Sequence, residues 1–251
     1  MNIIFCEDYE EMSRKAAAII ASQIILKPDS VLGLATGSTP IGLYEELVRR
    51  CDIGEISFSR IQTYNLDEYI GLAPTHEQSY AYFMNHYLLG KVDIDMSNTH
   101  LLFGLAKDID QECQNYTSKL SSIVGGMDFQ LLGMGHNGHI GFNEPDNKFI
   151  LDTHCIELTD ETIEANSRFF GDIDLVPRKA MTMGIRPIMN AKQILFIVNG
   201  SNKAEMLERA LFGDVTPNVP ASILQMHRSL TVVADREALR VVQQLHPEQI
   251  F

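Results

Sequence analysis

Short runs of apolar, β-branched residues alternate along this chain with segments whose apolar residues return every three or four positions, and few folds satisfy both patterns. Val31–Ala35, Ile61–Leu66, Phe129–Leu132, Gln193–Val198 and Leu230–Ala234 read as strands. Between them, Glu10–Ile25, Pro40–Arg50, Ile109–Ile123, Lys203–Leu211 and Glu237–Leu245 read as helices. Strands alternating with helices in this way form a mostly parallel sheet covered on both faces. The expected fold class is therefore α/β: a single-domain, open, mostly parallel Rossmann-like sheet with helices on both faces. No stretch is rich enough in Pro, Gly or Ser to serve as a linker and no repeat is visible, so residues 1–251 read as one domain. The segment from Asp146 to Lys179 is more polar. Its helix is expected to start at Thr159 or Asp160 as N-cap and to run through Glu164 and Arg168. This excursion, about residues 146–180, reads either as a lid or as an ordinary peripheral helix.

Composition narrows the function classes. Twenty Lys and Arg against 33 Asp and Glu leave a formal charge of −13, which repels nucleic acid and anionic lipid; no basic run offsets it. An anionic small substrate would then need a locally positive site. The four cysteines, Cys6, Cys51, Cys113 and Cys155, are widely spaced and form no C-x-x-C pair, which argues against a zinc knuckle or a disulfide framework and suits a reducing compartment. No signal-like N-terminus or membrane-length apolar run is present, so a cytoplasmic protein is expected.

Four segments follow predicted strands, where open α/β sheets bind ligands. Residues 133–145 place Gly133, Gly135, Gly138 and Gly141 around His136, Asn137, His139, Asn143 and Glu144. Glycines at this density disfavour helix and strand by about 1 kcal/mol each relative to alanine, and they let backbone approach a ligand closely. The His136-x-x-His139 pair with Glu144 invites a zinc reading, but zinc pairs of that kind sit on a helix, which the glycines oppose. A metal-free acid–base pair of His139 and Glu144 is preferred, the carboxylate orienting the ring and stabilising its charged form. Thr36-Gly37-Ser38-Thr39-Pro40 offers hydroxyls and a helix start with Thr39 as N-cap and Pro40 at the first helical position, either a phosphate cradle or a plain cap. Asn65-Leu66-Asp67-Glu68-Tyr69 presents adjacent carboxylates that suit a metal ligand, a general base or a turn cap. In Asn199-Gly200-Ser201-Asn202-Lys203, a lysine in the first helical turn opposes the helix dipole unless both share an anion; otherwise it is a surface lysine. Together the four segments suit proton transfer on a small phosphorylated metabolite.

The motifs Leu34–Pro40, Asn65–Tyr69, Gly138–Pro145 and Ala165-Asn166-Ser167-Arg168-Phe169-Phe170 resemble, in order and spacing, those of the glucosamine-6-phosphate deaminase (glucosamine-6-phosphate isomerase) family. The resemblance implies conversion of glucosamine 6-phosphate, a phosphorylated amino sugar, and water to fructose 6-phosphate and ammonia, with no metal or organic cofactor. It implies that His139 opens the sugar ring with support from Asn137 and Glu144, and that Asp67 removes the C2 proton and returns one at C1. It further implies that Thr36, Gly37, Ser38 and Thr39 hold the phosphate with Arg168 and Lys203. Two departures stand out. Some members carry aspartate at Asn137, whereas an amide can orient but cannot take up a proton. Some hexameric members are activated by N-acetylglucosamine 6-phosphate through basic residues, where this chain has His154 and Ile156 and a short C-terminus after Leu245. Weak or absent activation is therefore expected, and the chain can be a monomer or a homo-oligomer. The rival readings are a 6-phosphogluconolactonase-like hydrolase, which has no use for a base at C2, and a sugar-phosphate-sensing regulator domain, which would need a DNA-binding segment.

Overall fold

Residues 1–249 are described by a computed structural model, and its elements follow the alternation seen in the sequence. The chain starts with β1 (Asn2–Cys6), α1 (Tyr9–Leu26), β2 (Val31–Leu34), α2 (Ile41–Asp52) and β3 (Gln62–Asn65). It continues through β4 (Asp67–Tyr69), α3 (Tyr80–Met84), β5 (Thr99–His100), α4 (Ile109–Ser121) and β6 (Phe129–Leu132). Next come β7 (His154–Glu157), α5 (Asp160–Phe170), β8 (Lys179–Thr182) and α6 (Ile185–Met189). The last elements are β9 (Ile194–Val198), α7 (Ala204–Phe212), β10 (Leu230–Asp235) and α8 (Arg236–Leu245).

Among the described residues, seven strands form one sheet in the order β1-β10-β9-β6-β2-β3-β5, with every pairing parallel. Burial explains why these runs are strands. All five residues of β9 are buried, as are all four of β6, so neither face alternates toward solvent. Helix α1 shows how the cover is built. Asp8 caps it by accepting from the Glu11 amide, and Met12, Ala16, Ile20 and Ile24 bury one stripe at four-residue spacing. Burying each large aliphatic chain there stabilises the fold by about 1.5–3 kcal/mol. At the end of the sheet away from the carboxyl ends, Asp128 is buried and accepts from the Val31 amide, Lys27 and Lys192. Burial opposes its ionisation, but the two ammonium groups outweigh that and hold its carboxyl below the usual range.

Three strands escape the sequence reading because they belong to a second, antiparallel sheet ordered β4-β8-β7. The polar excursion is thus a strand, a helix and a return strand. Helix α5 does begin after Thr159, whose hydroxyl accepts from the Thr162 amide. Under it lies a second core of Tyr69, Phe142, Leu158, Ile163, Val176 and Ala180. Tyr80 stacks on Phe142 at 5.7 Å, and Phe170 meets the edge of Tyr69 at 5.7 Å. The edge strand β5, only two residues (Thr99–His100), was not read either, nor was the opposite edge strand β1. Its pattern of three apolar residues, Ile3-Ile4-Phe5, is too short to separate from a helix start by periodicity.

Candidate active site

The strand order reverses between β2 and β6: from β2 the chain builds outward through β3 and β5, and from β6 it builds the other way through β9 and β10. Neighbouring loops diverge at such a switch point and leave a crevice at the carboxyl ends. A cleft with about 910 Å³ of empty space, mouth included, opens there. It is lined by Thr36–Thr39 after β2, Asp67 after β3, residues 133–137, His139 and Gly141 after β6, and Lys203 after β9. Helix α5 covers one side with Glu161, Thr162, Asn166 and Arg168. Segments far apart in the chain therefore share one rim because each follows a parallel strand.

The loop after β2 is held from several sides. Gly37 has φ +97°, a backbone conformation that a side chain would strain. Tyr9 donates to the Ser38 carbonyl at 3.2 Å and accepts from the Gly42 amide at 2.9 Å. Thr39 does not cap α2, contrary to the sequence expectation. Its hydroxyl donates to Asn199 Oδ1 at 2.7 Å, and Pro40 occupies the cap position without a side-chain bond. The tether joins the loops after β2 and β9, whose partners lie 160 positions apart.

Asp67 is not in a turn. It opens β4, opposite Thr182 of β8, which turns the chain out of the parallel sheet just past β3. Its carboxyl is almost fully buried, and burial followed by the adjacent Glu68 charge pushes its pKa well above the ordinary carboxylate range. Glu68 has a different task. It accepts from the Tyr80 and Ala81 amides at 3.0 and 2.9 Å and so anchors the start of α3. A Cβ on Gly141 would lie 3.0 Å from Thr182 Oγ1 and 3.5 Å from Asp67 Oδ2, so the glycine brings the loop after β6 against Asp67.

That loop fixes an imidazole. Asn137 donates through Nδ2 to Glu144 Oε2 at 2.8 Å. An ionised carboxylate only accepts, so the amide must present Oδ1 to His139, whose Nδ1 lies 2.8 Å away. The ring proton therefore sits on Nδ1, and Nε2 keeps its lone pair. The expected His139–Glu144 pair is thus bridged: Nδ1 is 3.4 Å from Glu144 Oε2, with Asn137 hydrogen-bonded to both. Burial works against the Glu144 charge, but His139 and Asn137 outweigh it and hold the carboxyl below its ordinary value. Gly135 makes room for the ring, since a Cβ there would meet His139 Cε1 at 2.1 Å.

Across the cleft, Arg168 reaches in from α5 and Lys203 from the end of a short turn, Ser201–Lys203, that precedes α7. Lys203 thus sits at the cap of α7 and not within its first turn. Among the described residues neither cation pairs with a carboxylate. Burial and then the Arg168 charge lower Lys203 to about 8. Two unpaired cations beside the free amides of the 36–39 loop form a locally positive pocket in a strongly acidic chain. No group of three or more His, Cys, Asp or Glu suited to a metal occurs among the described residues. No described helix is long and apolar enough to cross a membrane. Sequence reasoning did not single out Tyr80, which is half-buried in the cleft wall and stacks on Phe142; it stands in a stretch without strand or helix periodicity clear enough to mark it.

Residues 7–233 match the family model described as glucosamine-6-phosphate isomerases/6-phosphogluconolactonase. The glucosamine-6-phosphate deaminase of Lachnoclostridium phytofermentans is 56% identical over 233 residues, covering 93% of this chain and 98% of that protein. The glucosamine-6-phosphate deaminase of Clostridioides difficile is 50% identical over 238 residues, with 95% of each chain covered. A solved monomeric glucosamine-6-phosphate deaminase superposes with a TM-score of 0.93 at 44% identity, covering 96% of this chain and all of that one. The 6-phosphogluconolactonase of Leishmania guyanensis, at 24% identity and a TM-score of 0.73, shares the fold.

Proposed function

This chain belongs to the glucosamine-6-phosphate isomerase/6-phosphogluconolactonase family, and from that membership we propose that it is a glucosamine-6-phosphate deaminase. It converts glucosamine 6-phosphate and water to fructose 6-phosphate and ammonia. One observation carries the choice within the family: a buried carboxyl, Asp67, lines the same cleft as the oriented imidazole of His139. Lactone hydrolysis needs activated water and no base for a carbon acid.

In this reading the 6-phosphate binds the amides and hydroxyls of Thr36, Gly37, Ser38 and Thr39, with Arg168 as a bidentate fork and Lys203 as a point charge. Ring opening must precede deprotonation, because C2–H becomes acidic only when C1 is a carbonyl. His139 Nε2 accepts the proton of the C1 hydroxyl and delivers a proton to the ring oxygen as the C1–O bond breaks. Asn137 and Glu144 hold the ring in the required tautomer and offset its transient charge. Asp67 then removes the C2 proton, the C2–H electron pair forms the C1=C2 bond, and the C1 oxygen takes a proton from the substrate's ammonium, giving an enolamine. Return of that proton to C1 yields a ketose imine, which water hydrolyses with release of ammonia. Burial that raises the Asp67 pKa also strengthens it as a base. The substrate's ammonium, one bond from C2, supplies the charge that favours its ionised form. The 146–180 segment acts as the lid, carrying Arg168 toward the phosphate. The test is purified protein with glucosamine 6-phosphate, chelator present, and coupled detection of ammonia and fructose 6-phosphate. Stoichiometric release of both is expected. Turnover of 6-phosphogluconolactone without ammonia release from the amino sugar would overturn the reading.

A further inference from the structure

His136 is the imidazole that the proposed chemistry leaves idle, yet it lines the same cleft as Arg168, Lys203 and the 36–39 loop. Its Nε2 lies 3.0 Å from Nδ2 of Asn202, the residue beside Lys203. In that orientation the amide donates, so the ring is neutral with its proton on Nδ1. Rotating the Asn202 amide by half a turn would present Oδ1 instead and accept from a protonated Nε2. The hydrogen bond therefore survives either charge state of the ring.

Charged or titratable groups reach His136 from three elements. Lys203 stands at the end of the β9 loop, Arg168 and Glu161 lie on α5, and His139 shares its own loop. We propose that His136 is a third, conditional cation of the phosphate subsite: neutral in the empty cleft, it takes up a proton from solvent when a phosphate dianion binds beside Arg168 and Lys203, and its imidazolium then pairs with that anion. This rests on the proposed reading of that subsite. Partial desolvation of this exposed ring, and next the Lys203 and Arg168 charges, hold it below its ordinary pKa in the free protein, with Glu161 acting the other way. A dianion that neutralises both cations reverses the sign of that field. The added affinity is fully present below the ring's free-state pKa and is lost as pH rises through its higher, bound-state pKa. Ionisation of the ligand has the opposite effect, because a phosphate monoester becomes dianionic as pH passes about 6.

The test is calorimetric titration of fructose 6-phosphate at pH 7.5 in two buffers of different ionisation enthalpy, which counts protons taken up per ligand. Lys203 can also take up a proton, so the quantity read is the difference between wild type and His136→Asn. Wild type is expected to take up several tenths of a proton more. The variant should bind roughly tenfold more weakly at pH 6.5, the scale of one charge-assisted hydrogen bond, and within about twofold at pH 9. His136→Arg, charged at every pH, should restore affinity at pH 6.5 and keep it at pH 9 without the extra proton. Equal uptake in wild type and His136→Asn, or an affinity loss that is the same at every pH, would overturn the proposal and leave the ring a packing role. If wild type itself binds neither fructose 6-phosphate nor inorganic phosphate, the subsite reading fails first and this one with it.

Discussion

Replacing Gly135 with alanine tests whether the position of the His139 ring governs turnover. The backbone at residue 135 is not among the positive-φ glycines, so alanine meets no conformational penalty of that kind. The obstacle is the ring. An added Cβ would lie 2.1 Å from His139 Cε1, 2.3 Å from Nε2 and 2.5 Å from Nδ1. Ordinary contact begins at 3.4 Å, so Cε1 must retreat by about 1.3 Å. A rigid ring carries Nε2 with it, while the Asn137–Glu144 bridge pulls Nδ1 back. Misplacement of a reacting group by about 1 Å costs on the order of 10²-fold in rate. Overpacking costs stability about 1–3 kcal/mol, and in a chain of this length each kcal/mol lowers the melting temperature by about 2–4 °C. The expected outcome is a folded protein whose kcat for ammonia release falls roughly 100-fold while fructose 6-phosphate affinity falls far less, because Arg168, Lys203 and the 36–39 loop do not move with the His139 ring. A folded variant with kcat within about threefold of wild type, far below the misplacement penalty, would refute the assignment of ring opening to His139.

Four further outcomes are expected. Asp67→Asn keeps the shape but removes the base, so deamination should fall by about 10²–10⁴-fold with fructose 6-phosphate affinity retained; retained turnover counts against the proposed C2 step. The pH profile of kcat/KM reports groups of the free enzyme. Asp67 must be ionised to act and its pKa is raised, so the acidic limb should lie well above the ordinary aspartate value of about 4. Lys203 contributes its charge below its lowered pKa of about 8 and loses it above, so KM should rise on the alkaline side; Lys203→Met should reduce that rise, leaving the part due to His136, and an unchanged profile would refute the role. N-acetylglucosamine 6-phosphate should leave the initial-rate curve with glucosamine 6-phosphate unchanged; a sigmoidal curve turning hyperbolic would show activation through residues other than His154 and Ile156.

Much of the fold was legible because burial acts on the sequence locally. Ile194–Val198 is apolar throughout because both faces of β9 are covered, and Thr159 announces a helix start through a side chain that reaches only three residues ahead. Strand β4 was not legible. Asp67-Glu68-Tyr69 has no apolar alternation, and it extends only because β8, more than a hundred positions later, offers hydrogen bonds to it. Thr39 was misread as a cap for a related reason. A threonine before a proline is a good local cap, but a tertiary partner, Asn199, took the hydroxyl instead.

The sequence by itself determined the alternating elements, the charge filter and the short list of reactive side chains, since composition and periodicity are properties of neighbours along the chain. Only the tertiary structure decided which of them meet. Parallel pairing about the β2–β6 switch point put Thr36, Asp67, His139 and Lys203 on one rim. The antiparallel turn-out at β4 buried Asp67, and the amide of Asn137, forced by Glu144, chose the tautomer of His139. The physical reason is one of range. Backbone propensity and side-chain spacing act over a few residues, whereas desolvation, charge and hydrogen-bond direction depend on neighbours that the chain brings together only by folding.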